Sequence, residues 1–163
     1  QMNAGARAAR GEVLLFLHAD TVLPRHFPEL VRNALQDPAV LGGRFDVRLN
    51  AVGWSFRMIE TLMNVRSRLT RIATGDQAIF VRHDVFRALG GFPELELMED
   101  IEFSRRLKRT GKIACLRAQV VTSARRWQRD GVLRTIGLMW LLRLAYFFGV
   151  SPRQLKVFYG DTR

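Results

Sequence analysis

The segment Val13-Leu14-Leu15-Phe16-Leu17-His18-Ala19-Asp20-Thr21 decides the fold class, because a continuous apolar run stops abruptly at two metal-capable side chains one residue apart. Such a run reads as a buried strand, apolar on both faces as central parallel strands are, and ligands of open α/β sheets collect just beyond the carboxyl ends of their strands. His18 and Asp20 stand at such an end. Their i, i+2 spacing aims both side chains the same way if the backbone stays extended, so that an imidazole and a carboxylate share one divalent ion or one diphosphate-bound metal. The same residues also suit an ordinary strand end with a polar turn, in which Thr21 caps a helix.

Working outward, Pro24 and Pro28 bracket a helix start, and Phe27, Leu30, Val31, Ala34 and Leu35 keep helical spacing until Asp37-Pro38 stops it. From Gly43 the pattern switches to period two, with Phe45, Val47 and Leu49 on one face and Arg44, Asp46 and Arg48 on the other, which predicts a half-exposed strand near a sheet edge or cleft. Residues 54–72 predict a long helix whose stripe of Trp54, Met58, Leu62, Val65 and Leu69 is expected to pack into the core, with Arg57, Arg66, Arg68 and Arg71 mostly off it. Thr74-Gly75-Asp76-Gln77 leads into the apolar strand Ala78–Val81, and Asp84 opens a short helix that ends at Gly90-Gly91. Alternating strands and helices predict a layered α/β domain.

Glu99, Asp100 and Glu102 precede Arg105, Arg106, Lys108 and Arg109, the charge order that a helix dipole favours, so the acidic pair already has a role at a helix start. The last helical stretch, Val132 to Phe148, approaches membrane-spanning length but carries Arg134 and Arg143, which favours a buried or interfacial helix over a span. The domain division is therefore residues 1–130 as one unit and 131–163 as an apolar helix and tail packed on it or extending it.

A chain of 163 residues is long enough for one domain with a real core, and 48% hydrophobic with 25% charged content argues against disorder. The net charge of +11 is nearly all arginine, since Lys108, Lys112 and Lys156 are the only lysines, and arginine's planar fork suits phosphate and carboxylate. The basic residues are spread along the chain without a zinc-finger or RNA-recognition signature, which disfavours nucleic acid as the partner. Cys115 lies in an apolar stretch and reads as a small buried hydrophobe; alone, it excludes an internal disulfide, in keeping with a cytoplasmic, reducing setting. Residues 1–11 read as the middle of a helix closed by Gly11, without a signal-peptide pattern, so the chain is expected to begin inside a fold.

Taken in order, Asn3-Ala4-Gly5, His18-Ala19-Asp20, Gly75-Asp76-Gln77, Gly90-Gly91-Phe92, Glu99-Asp100 and Arg126-Trp127 resemble glycosyltransferase family 2, inverting transferases with a single nucleotide-binding α/β domain of the A type. The likeness covers nearly the whole chain and is similar to a bacterial subgroup with Leu-His-Ala-Asp-Thr, Gly-Asp-Gln-Ala and Met-Glu-Asp-Ile-Glu motifs. It implies a Rossmann-like α/β fold with a mixed, mostly parallel sheet flanked by helices, N-terminally truncated so that the strands holding base and ribose are missing. It also implies a UDP- or GDP-linked sugar donor, a hydroxyl acceptor, and Mn²⁺ or Mg²⁺ as cofactor.

Under the same resemblance, His18-Ala19-Asp20 takes the place of the family's Asp-x-Asp motif. Asp20 is the surer metal ligand and His18 the departure, since imidazole suits Mn²⁺ better than Mg²⁺. Asp100 matches the general base, with Glu99 beside it; Asn3 and Arg126 join His18 and Asp20 on the donor side; Gly75, Asp76, Gln77, Gly91 and Trp127 fall on the acceptor side. Arg126-Trp127 resembles the end of the Gln-x-x-Arg-Trp motif of processive synthases, but Ser123 stands where Gln belongs, which argues against processivity. Peripheral contact with the inner face of the membrane and a homodimer are further expectations. The competing readings are a non-catalytic scaffold or interaction module and, less favoured, a basic nucleic-acid binder.

Overall fold

A computed structural model of the chain describes residues 1–159; the end of the predicted tail, 160–163, lies outside the described residues. Four strands, β1 (Val13–Phe16), β2 (Val40–Leu49), β3 (Ile79–Arg82) and β4 (Lys112–Thr122), form one sheet in the order β1-β3-β2-β4. Helices α1 (Met2–Ala8), α2 (Phe27–Ala34), α3 (Trp54–Thr70), α4 (His83–Ala88), α5 (Glu99–Thr110), α6 (Arg125–Asp130), α7 (Val132–Phe147) and α8 (Pro152–Tyr159) flank it. Apolar side chains cover both sheet faces. Leu14, Ile79, Val81, Phe86, Phe92 and Phe103 form one core layer; Val31, Leu35, Phe45, Val47, Phe80 and Val120 form the other.

The sheet is mixed, as expected, but the expectation that most of its pairs are parallel is corrected. Only β2 with β4 is parallel, whereas β3 runs antiparallel to both β1 and β2. Among the described residues β1 is an edge strand and not a central one. An apolar run reports that both faces are covered by helices; it carries no information about the direction or number of neighbouring strands.

Two expectations about α3 and β2 are reversed together. The Arg44 and Asp46 face of β2 is buried, with Arg44 only 1% exposed, and Asp46 takes an ion pair from Arg44 on one carboxylate oxygen and from Arg68 of α3 on the other. β3 pairs with β2 only at Gly42 and Gly43, which leaves the later backbone groups on that edge of β2 without a strand partner. Polar side chains of α3 supply one: the Asn64 amide accepts from Val47 N at 2.9 Å and donates to Val47 O at 3.0 Å, and Glu60 accepts from Leu49 N at 2.6 Å. Because buried backbone groups must be satisfied, the polar side of α3 turns inward. Its predicted core stripe therefore faces outward, with Trp54 78% and Leu69 79% exposed.

Other differences are smaller. α1 ends at Ala8, before Gly11, and Cys115 is half-buried, its carbonyl accepting from Arg68 at 3.1 Å. The long apolar stretch is α7, and among the described residues no helix is long and apolar enough to cross a membrane. α8 follows it, opened by Ser151 and Gln154, whose side chains bond each other and the backbone of the first turn.

Candidate functional site

The site forms where three segments meet at one end of the sheet. β1 stops at Phe16, and the chain then turns, Thr21 N donating to His18 O at 3.1 Å, so His18 and Asp20 lie in a turn and not on an extended strand. The shared side-chain direction expected from i, i+2 spacing is thereby lost. The turn is anchored from below: the Thr21 hydroxyl bonds the Thr122 hydroxyl at 3.0 Å and Val22 bridges to Val121 of β4. Thr21 thus ties the turn to the sheet and caps no helix. Asp20 itself is exposed.

Gly75, Asp76 and Gln77 form a single 3₁₀ turn between α3 and β3. Gly75 is required by close approach: a Cβ there would fall 2.3 Å from His18 Nε2, so the imidazole rests directly on this backbone. Gln77, fully buried, locks the turn by accepting from Thr74 N at 3.2 Å, and its Nε2 has no hydrogen-bond partner among the described residues. Thr74 also donates to Asp76 at 2.5 Å.

The third segment is the start of α5. Asp100 accepts from Gly75 N at 2.8 Å and from Ile101 N at 2.7 Å, so the motif at residue 100 is joined directly to the motif at residue 75. Burial pushes its carboxyl up to about 6, with the negative charges of Glu99 and Asp76 adding to the rise and the two backbone donors opposing it. A carboxylate ionised at neutral pH yet basic for its type is suited to accepting a proton.

Two arginines that the residue pattern did not single out complete the cluster. Arg66 of α3 and Arg143 of α7 both interact electrostatically with Asp76 and Asp100. Burial lowers Arg66 to about 10, Arg143 pushes it the same way, and the two aspartates oppose the fall. Its Nε and Nη2 are buried without a hydrogen-bond partner among the described residues. A signal exists for Arg143, one of two arginines in a mostly apolar helix that has no acidic residue of its own to pair with.

The remaining predicted residues are placed elsewhere. Asn3 donates to Phe92 O at 2.8 Å and accepts from Phe92 N at 3.0 Å, and a Cβ on Gly91 would come within 2.8 Å of its Oδ1; Asn3 and Gly91 therefore hold each other in a turn at φ +73°. Trp127 packs with Leu49, Ile59 and Ala124, as a structural tryptophan does. Arg126 lies 3.9 Å from Asp130 in α6. Glu99 is half-buried beside Asp100.

The fit to a metal can be judged from the donors. Among the described residues, no three His, Cys, Asp or Glu side chains gather into a protein cage. A Mg²⁺ ion bound together with phosphates needs only one or two protein carboxylates, and Asp20, exposed in the turn, is the carboxylate this segment offers. A model described as "Glycosyl transferase family 2" matches residues 1–90, which takes in the His18-Ala19-Asp20 and Gly75-Asp76-Gln77 segments and stops short of Asp100. No curated protein matches the chain.

Proposed function

The chain belongs to glycosyl transferase family 2, and from that premise we propose that it moves a sugar from a nucleoside-diphosphate donor to an acceptor hydroxyl with inversion at the anomeric carbon. The observation that carries this reading is the junction of three distant segments, His18 on Gly75 and Gly75 N on Asp100. Asp100 accepts the hydroxyl proton as the acceptor oxygen bonds to the anomeric carbon. The bond from that carbon to the diphosphate oxygen breaks, and the electron pair leaves with the diphosphate. Arg66, with unmatched N–H groups, and Arg143 offer positive charge to the departing group. Asp20, with His18, would hold Mn²⁺ or Mg²⁺, which neutralises diphosphate charge when bound. Keeping Asp20 apart from Asp100 matters, since a base pressed against a cation loses basicity.

Release of nucleoside diphosphate from a panel of UDP- and GDP-sugars tests the reading. Asp100→Asn should lower the rate by about a hundredfold to ten-thousandfold, while Glu99→Gln leaves most of it. Turnover should fall as pH drops through about 6, where Asp100 takes up its proton. Full activity in Asp100→Asn would refute the assignment. Specific retention of single-stranded DNA, with no response to any sugar nucleotide, would favour the nucleic-acid reading instead.

A further inference from the structure

Helix α7 is apolar on both sides, yet the domain covers only one of them. Thr135 and Leu142 are buried against it, while Leu133, Trp140, Leu144 and Phe147 point away, Trp140 at 64% and Phe147 at 72% exposure. α3 lies beside it: Phe56, Ile59 and Met63 share one apolar cluster with Val132 and Ile136 of α7. Since each helix buries its opposite side against the domain, the outward stripe of α3 and the outward face of α7 look the same way and form one surface. Apolar surfaces of this extent on soluble domains mark binding sites.

The charges around the surface select the occupant. Residues 131–159 contain no aspartate or glutamate and expose Arg134, Arg153 and Lys156, the last paired with Glu96 at 3.3 Å, and the only acid of α3, Glu60, is buried against Leu49 N and Arg57. A two-fold pairing with a second copy would bring cationic surfaces together. An anionic bilayer complements them, and Trp54 and Trp140 have the amphipathic rings that settle at a lipid interface. At 16 residues, about 24 Å, α7 is too short to cross the hydrocarbon core and long enough to lie along its surface.

We propose that the outward faces of α3 and α7 form a docking surface for anionic lipid bilayers, on which the domain lies without spanning. The inner side of α7 presents Arg143 to Asp76 and Asp100, so docking sets the candidate site about one helix diameter, some 10 Å, from the headgroups.

The test is sedimentation of the full chain with vesicles of phosphatidylcholine alone or mixed with phosphatidylglycerol. The mixed vesicles should bind it, the neutral ones far more weakly, and high salt or alkaline carbonate should release it. Leu62→Glu with Trp140→Glu should weaken binding by more than about tenfold, and Arg134→Ser by about fivefold. Both glutamates replace exposed side chains, so an unchanged melting temperature confirms that folding is intact. Equal binding to neutral vesicles, carbonate-resistant binding, or binding insensitive to these variants overturns the proposal. So does absence of vesicle binding with a dimer in light scattering that the two glutamates split, which would make a second copy the occupant.

Discussion

Replacing Asp100 by Asn should stabilise the fold at alkaline pH while removing the proposed base. In the folded chain the carboxyl titrates at about 6 against 3.8 for the ordinary side chain. A carboxyl raised in this way favours folding only in its protonated form. Its contribution is present below about pH 4 and is lost as pH rises through about 6. Relative to a group that stays neutral, the raised carboxyl costs folding between about 1 and 2 kcal/mol at pH 5, where the folded chain keeps it mostly protonated and the unfolded chain does not. At pH 8, where both are ionised, the cost is about 3 kcal/mol. Asn avoids the charge but accepts with one oxygen where Asp100 uses two, toward Gly75 N and Ile101 N, which returns about 1 kcal/mol. The variant should therefore be more stable than the parent by about 2 kcal/mol at pH 8 and by less than about 1 kcal/mol at pH 5. Urea unfolding at the two pH values measures the difference directly. A variant destabilised equally at both would show that Asp100 is an ordinary ionised helix-start acid, and the electrostatic argument for a base would fall.

Gly75→Ala should cost donor binding about tenfold with less than about 1 kcal/mol of stability, because the added Cβ displaces the movable His18 ring; titration calorimetry and thermal melts separate the two. Gly43→Ala should act the opposite way, destabilising by about 1–3 kcal/mol in urea, since its Cβ would lie 2.4 Å from the Ala114 carbonyl oxygen and equally close to the Phe80 ring, in a packed sheet. Arg66→Met should leave stability unchanged or raised by about 1 kcal/mol while weakening nucleoside-diphosphate affinity about tenfold or more; a loss of stability without a loss of affinity would mark the arginine as structural.

What the residues revealed was the order of elements and the segments that converge. The apolar run ending at His18, the turn at Gly75 and the acids opening α5 each have a local pattern, and in the fold they touch. The faces of β2 and α3 are not legible in the sequence, because their polar residues pair with buried groups instead of facing solvent. Asn64 and Glu60 are buried because backbone groups of Val47 and Leu49 need partners no strand supplies. Strand direction was likewise hidden, since facial burial does not encode it. Arg66 needed the tertiary neighbour Arg143 to mark it as part of the site.

The most direct test of a nucleotide-sugar transferase site is calorimetric titration of the chain with UDP- and GDP-sugars in the presence and absence of Mn²⁺. Binding should require Mn²⁺, disappear in Asp20→Asn, weaken less in His18→Ala because a neutral ligand attracts a cation less than a carboxylate does, and persist in Asp100→Asn. Affinity that is independent of metal and unchanged in Asp20→Asn would contradict the account.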